Sequence, residues 1–187
     1  MRTIERLTQR RRLTAVYGTA IVALFFKTQG AFWDVSYHFR HLREFTQSPH
    51  ILNAVGNVML LILTIVLWRR SVPGQRKPLM WMTAGILVFL SAIPIDDAWH
   101  RMFGIDLQIW SPPHLLLYSG TAIMTIGLML LVHQDRELRR ISKRARNILL
   151  VVLFSLLFDV MWFLLLQHEH GVIIGHLMTL GQFHPDQ

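Results

Sequence analysis

Five apolar stretches set the limits on what this chain can fold into. They cover residues 14–33, 51–68, 79–95, 115–133 and 148–166, each about 17–20 residues long. A helix rises 1.5 Å per residue, so each stretch is about as long as the hydrocarbon core of a bilayer is thick, roughly 30 Å. At 52% hydrophobic residues over 187 positions, the chain is too apolar for an ordinary soluble domain. No Ser/Gly linker or low-complexity run divides it. The expectation is an all-α integral membrane protein, a single transmembrane domain over residues 1–187 with about five spanning helices. Five arginines precede the first stretch and no small-residue cleavage site follows it, so it reads as a retained helix and not a signal peptide.

The net charge of +8 is unevenly placed. Arg2, Arg6, Arg10, Arg11 and Arg12 precede the first stretch. Arg69, Arg70, Arg76 and Lys77 lie between the second and third, and Arg136, Arg139, Arg140, Lys143, Arg144 and Arg146 between the fourth and fifth. Fifteen of the 19 Lys and Arg thus share one side of a five-crossing chain. The positive-inside rule then places the N-terminus in the cytoplasm and the C-terminus outside a cell's inner membrane. No helix-turn-helix or aromatic context accompanies these arginines, which argues against a nucleic-acid partner and for the lipid bilayer.

Nine of the ten histidines (all but His133) fall at or beyond the opposite helix ends. Four of them, His38, His50, His100 and His114, belong to an internal repeat. Asp34, Tyr37 and His38 align with Asp96, Trp99 and His100, an Asp followed by an aromatic at plus three and His at plus four. Ser48-Pro49-His50 aligns with Ser111-Pro112-Pro113-His114, and glycine follows each histidine by six positions, at Gly56 and Gly120. The unit is a helix hairpin over about 14–68 and again over about 79–133. A degenerate third unit covers about 148–187, with Asp159, Trp162 and His176 in the matching places and Phe163 in the first histidine slot.

Residues four apart stack on one helix face, so Asp96 with His100, and Asp34 with His38, can present an oxygen and a nitrogen to one point. Serine is expected to cap the next helix, and proline suits its first position, which puts His50 and His114 in the first turn. The partial positive charge of a helix N-terminus favours the neutral imidazole that ligates metal. Two Asp/His/His sets therefore read as metal ligands: Asp96, His100 and His114 first, then Asp34, His38 and His50. Additional candidates are Asp97, Asp159, His168, His170 and His176, with Asp106 near the first set. Without cysteine there is no thiolate ligation and no disulfide, so the ligands are nitrogen and oxygen, suited to copper, zinc or iron. The bland reading is that Asp/His pairs staple hairpins together. Tyr37, Trp99, Trp110 and Tyr118 read as interfacial anchors. Asp159, inside an apolar stretch, is expected in the bundle interior, and Lys27 is expected to snorkel or to pair with a carboxylate.

The run DDAWHRMFGIDLQIWSPPHLLLYSG, residues 96–120, resembles a metal-binding segment of the copper membrane monooxygenases, the particulate methane and ammonia monooxygenases. In that family the segment belongs to a membrane-embedded subunit. The resemblance implies copper on Asp96, His100 and His114, with Trp99 and Gly120 also matching. It extends more weakly to Asp34, His38 and His50, where Tyr37 replaces the tryptophan. About 25 residues match well. The rest is alike only as a helix-rich membrane protein, and the repetition of the motif departs from the family pattern. The resemblance implies a subunit of a metal-dependent membrane oxygenase, with other membrane subunits or further copies of the chain as partners. Three alternatives stand beside it: a copper-handling or accessory protein without turnover, a haem- or quinol-linked electron carrier, and a structural membrane protein with Asp/His staples.

Overall fold

The computed structural model describes residues 2–38, 48–70, 73–103 and 110–179, and all regular structure among them is helical. The long helices are α1 (Arg2–His38), α2 (Ser48–Arg69), α3 (Arg76–Phe103), α4 (Pro112–Gln134) and α6 (Lys143–Thr179), with a short α5 (Arg136–Ile141) and a 3-10 turn over Pro73–Gln75. Four of them, α2, α3, α4 and the 143–162 part of α6, are long and apolar enough to cross a membrane. The expected first crossing, 14–33, lies within α1 but is not among the four, since Lys27 and Gln29 dilute its apolar character. Several helices outrun their apolar stretches: α1 starts in its arginines, and α3 runs through Pro94 to Phe103.

The helices pair as two antiparallel hairpins, α1 with α2 and α3 with α4. Close approach at glycine sets each hairpin's spacing. A Cβ on Gly120 would lie 2.7 Å from the Phe89 nitrogen and 2.8 Å from the Gly85 oxygen. One on Gly56 would lie 2.9 Å from the Lys27 nitrogen and 2.5 Å from the Ala23 oxygen. Ala23 and Lys27 become Gly85 and Phe89 on adding 62, while Gly56 becomes Gly120 on adding 64, so the two hairpins use equivalent contacts. Small residues that admit a neighbouring backbone are how helices associate where burial from water supplies no driving force.

Leu24, Leu60, Leu79, Met82, Met124 and Leu128 fill the core. The buried hydroxyls of Thr28, Thr64 and Thr125 each donate to a carbonyl one turn back in their own helix, which satisfies them without a partner helix. Helix α6 packs mainly on α4, and its inward-facing positions include Leu149, Leu153, Leu156 and Val160.

The basic segments gather at one end of the bundle. Asp135 ends α4, its N–H donating to the Leu131 carbonyl, and starts α5 by accepting from the Leu138 N–H at 2.9 Å. The Tyr17 hydroxyl donates to the same carboxylate at 2.6 Å, and Gln9 bonds Glu137, so the first half of α1 is tied beside this junction. At the same end the Trp68 indole donates to Thr83 at 2.8 Å, linking α2 to α3.

Candidate metal centre

At the far end of the second hairpin, α3 and α4 bring three of the expected ligands together. Asp96 and His100 stand one turn apart on α3, with Asp96 two residues beyond Pro94. Their separation is 3.4 Å from Asp96 Oδ1 to His100 Nε2. Pro112 and Pro113 occupy the first positions of α4, so His114 falls in its first turn. Its Nε2 is also 3.4 Å from Asp96 Oδ1. The imidazole centroids are 6.0 Å apart at 58°, and one ligand atom from each of the three residues lies within 4.8 Å of the others.

Asp96 Oδ1 is buried and has no hydrogen-bond donor among the described residues, an arrangement that costs free energy unless something cationic meets it. Two separations of 3.4 Å match the edge of a tetrahedron of ligands about 2.0–2.1 Å from a central ion. The side chains are only partly exposed, at 22% for Asp96, 13% for His100 and 21% for His114, so the point they surround borders solvent without being immersed in it. A nitrogen, nitrogen, oxygen set of this shape fits a transition-metal ion.

Ser111 departs from expectation. It is the N-cap of α4, with φ −64° and ψ 146°, yet its hydroxyl makes no capping bond and is buried without a partner among the described residues. Its carbonyl accepts from the Leu115 N–H at 3.0 Å, and with Pro112 and Pro113 following, one of the two amides that a cap hydroxyl serves, that of the second helical residue, does not exist.

Asp97 is not part of the cluster. It points outward and pairs with Arg101 at 2.7 Å. Asp159 is exposed on α6, not in the bundle interior: the packed seam through Leu153 and Val160 leaves it on the outward face. Trp99 packs on Phe103 with ring centroids 4.4 Å apart and planes tilted by 44°, and Trp110 is exposed. The side chains of Asp34, Tyr37, His38, His50, His168, His170 and His176, and Asp106 altogether, lie outside the described residues.

Sequence reasoning misjudged Lys27. It does not snorkel, and among the described residues it meets no carboxylate. It is buried, with Nζ 2.6 Å from Asn57 Oδ1, 3.3 Å from Asn53 Oδ1 and 3.5 Å from the Phe89 ring centroid. The signal was available: Asn53 and Asn57 sit four apart in an otherwise apolar helix, where amides need partners. The role of Asp135 was also missed, although an Asp directly before a helical basic run is an N-cap signature.

Comparison with known proteins finds no matching family model, curated protein or solved structure. The resemblance to the copper membrane monooxygenases therefore rests on the motif alone.

Proposed function

We propose that this chain is a multi-pass membrane protein that binds one transition-metal ion through Asp96, His100 and His114. The observation that carries the reading is the buried, donor-less Asp96 Oδ1 held 3.4 Å from two imidazole nitrogens. Copper is the preferred ion on the motif resemblance, and zinc or iron would suit the same donors. Three protein ligands leave a coordination position for water or a small substrate, where a bound ion would act as a Lewis acid or, for copper or iron, as a redox centre. The chain's own part is to fix the donors from two helices held in close approach at Gly120.

In this reading all five long helices are membrane-inserted in a cell's inner membrane, with the basic end in the cytoplasm and the metal centre on the other side. The cluster favours a single ion over haem, because both imidazole nitrogens crowd the same carboxylate oxygen and leave no plane for a macrocycle between them. Whether the ion turns over substrate, as a component of an oxygenase, or is only held or passed on divides the remaining readings.

The test is metal content of the detergent-purified protein by mass spectrometry, beside the His100→Ala/His114→Ala double variant. One copper, zinc or iron per chain, lost in the variant, supports the site. A folded protein that stays metal-free after loading with each ion leaves the trio as a hairpin staple.

A further inference from the structure

A carboxylate in the middle of a membrane-spanning helix is costly unless something meets it, and such groups ordinarily face a bundle interior. Asp159 does not. It stands 11 residues beyond Ile148, where the apolar stretch of α6 begins, so it lies about 16 Å along the helix and near the middle of a hydrocarbon core roughly 30 Å thick. It is exposed, and so are Phe158, Met161 and Trp162 around it. Phe158 and Trp162 stack at 5.9 Å and 15°, making a flat aromatic wall beside the carboxylate. Helix α6 is also the least covered of the four apolar helices, with 11% of its span buried against 44% for α4.

We infer that this face of α6 docks a transmembrane helix of a different protein, one that presents a cationic hydrogen-bond donor at the depth of Asp159. A second copy of this chain is the poorer occupant. Lys27 is the sole Lys or Arg within the five apolar stretches, and it is buried and committed to Asn53, Asn57 and Phe89. Packing α6 on its own copy would instead bring two Asp159 carboxylates together, which is repulsive unless they share a proton. A partner lysine or arginine satisfies the carboxylate and seats its apolar stem on the Phe158/Trp162 wall. The inference rests on the membrane reading and is independent of the metal.

The experiment uses the whole chain in phospholipid vesicles. The chain has no cysteine, so Gln134→Cys gives one site for a fluorescent donor. The acceptor is carried by a leucine-rich transmembrane peptide with one central lysine, or by its all-leucine counterpart. Energy transfer should report about 5- to 10-fold tighter association with the lysine peptide, and Asp159→Leu should abolish the preference. Equal association of the two peptides with the unmutated face overturns the inference without relying on any variant at Asp159. A preference that survives Asp159→Leu overturns it as well. Self-association in peptide-free vesicles that depends on Asp159 assigns the face to a second copy instead. Failure of the chain to insert into the vesicles overturns the membrane reading and this inference with it, whatever the metal content.

Discussion

Lys27 of the first hairpin lies against Phe89, the residue at the same position of the second, with Nζ 3.5 Å from the ring centroid. Equivalent residues meet each other where two repeats are related by a pseudo-two-fold axis. The contact is asymmetric in chemistry: one hairpin supplies Lys27 with Asn53 and Asn57, and the other supplies an aromatic face.

Lys27→Met should keep most of the packing but leave the Asn57 oxygen without its lysine donor, while Asn53 Oδ1 keeps the Asn57 amide at 3.2 Å. Stranding a buried polar group costs about 1–3 kcal/mol, partly offset because the lysine no longer has to be buried. Lys27→Ala adds a cavity between the hairpins and should be worse by about 2 kcal/mol or more. Reversible unfolding in detergent measures both. A Lys27→Ala variant no less stable than Lys27→Met would mean that the side chain fills no space between the hairpins.

Gly120→Ala should destabilise by about 1–3 kcal/mol, because its Cβ would meet backbone atoms of Gly85 and Phe89 and α3 would have to move away from α4. Gly18→Ala is the control: nothing lies near the added methyl, and the change should be neutral or slightly stabilising in a helix. Since α3 and α4 also carry the proposed metal ligands, Gly120→Ala should weaken metal retention in parallel. Thermal unfolding and metal content, read on the same samples, check both effects.

Tyr17→Phe removes one of the two donors that the described residues give the Asp135 carboxylate and should cost about 1–3 kcal/mol. Asp135→Ala removes the α5 cap as well and should cost more. If Tyr17→Phe melts with the unmutated protein, the tie between α1 and the α4–α5 junction contributes nothing.

Helices and ligand convergence were legible in the sequence for local reasons. Apolar length marks the four crossing-competent helices, four-residue spacing pairs Asp96 with His100, and two prolines fix where α4 begins, hence where His114 points. What escaped was decided between helices. The outward position of Asp159 depends on which seam of α6 meets α4, and a helix apolar all round does not announce that seam. The burial of Lys27 depends on Phe89, 62 residues away. Ser111 shows a local rule failing locally: the prolines that make it look like a cap also remove one of the amides that a cap would serve.

Asp96 and Asp97 are adjacent carboxylates with opposite expected behaviour. Asp97 is 47% exposed and paired with Arg101, so Asp97→Asn should leave metal binding intact and stability within about 0.5 kcal/mol. Asp96→Asn removes a proposed ligand. Loss of groups that merely support a ligand costs about 10–100-fold in affinity, so loss of the ligand itself should exceed about 100-fold. The metal-free proteins discriminate further. If Asp96 is held for an ion, its donor-less oxygen is a liability in the ion's absence, and Asp96→Asn should leave the metal-free protein as stable as before or more so. If Asp96 is a staple between His100 and His114, the same change should destabilise the metal-free protein. Unfolding curves of the two variants, with and without a chelator, separate the cases: only a metal site predicts that Asp96→Asn is harmful with metal and harmless without it.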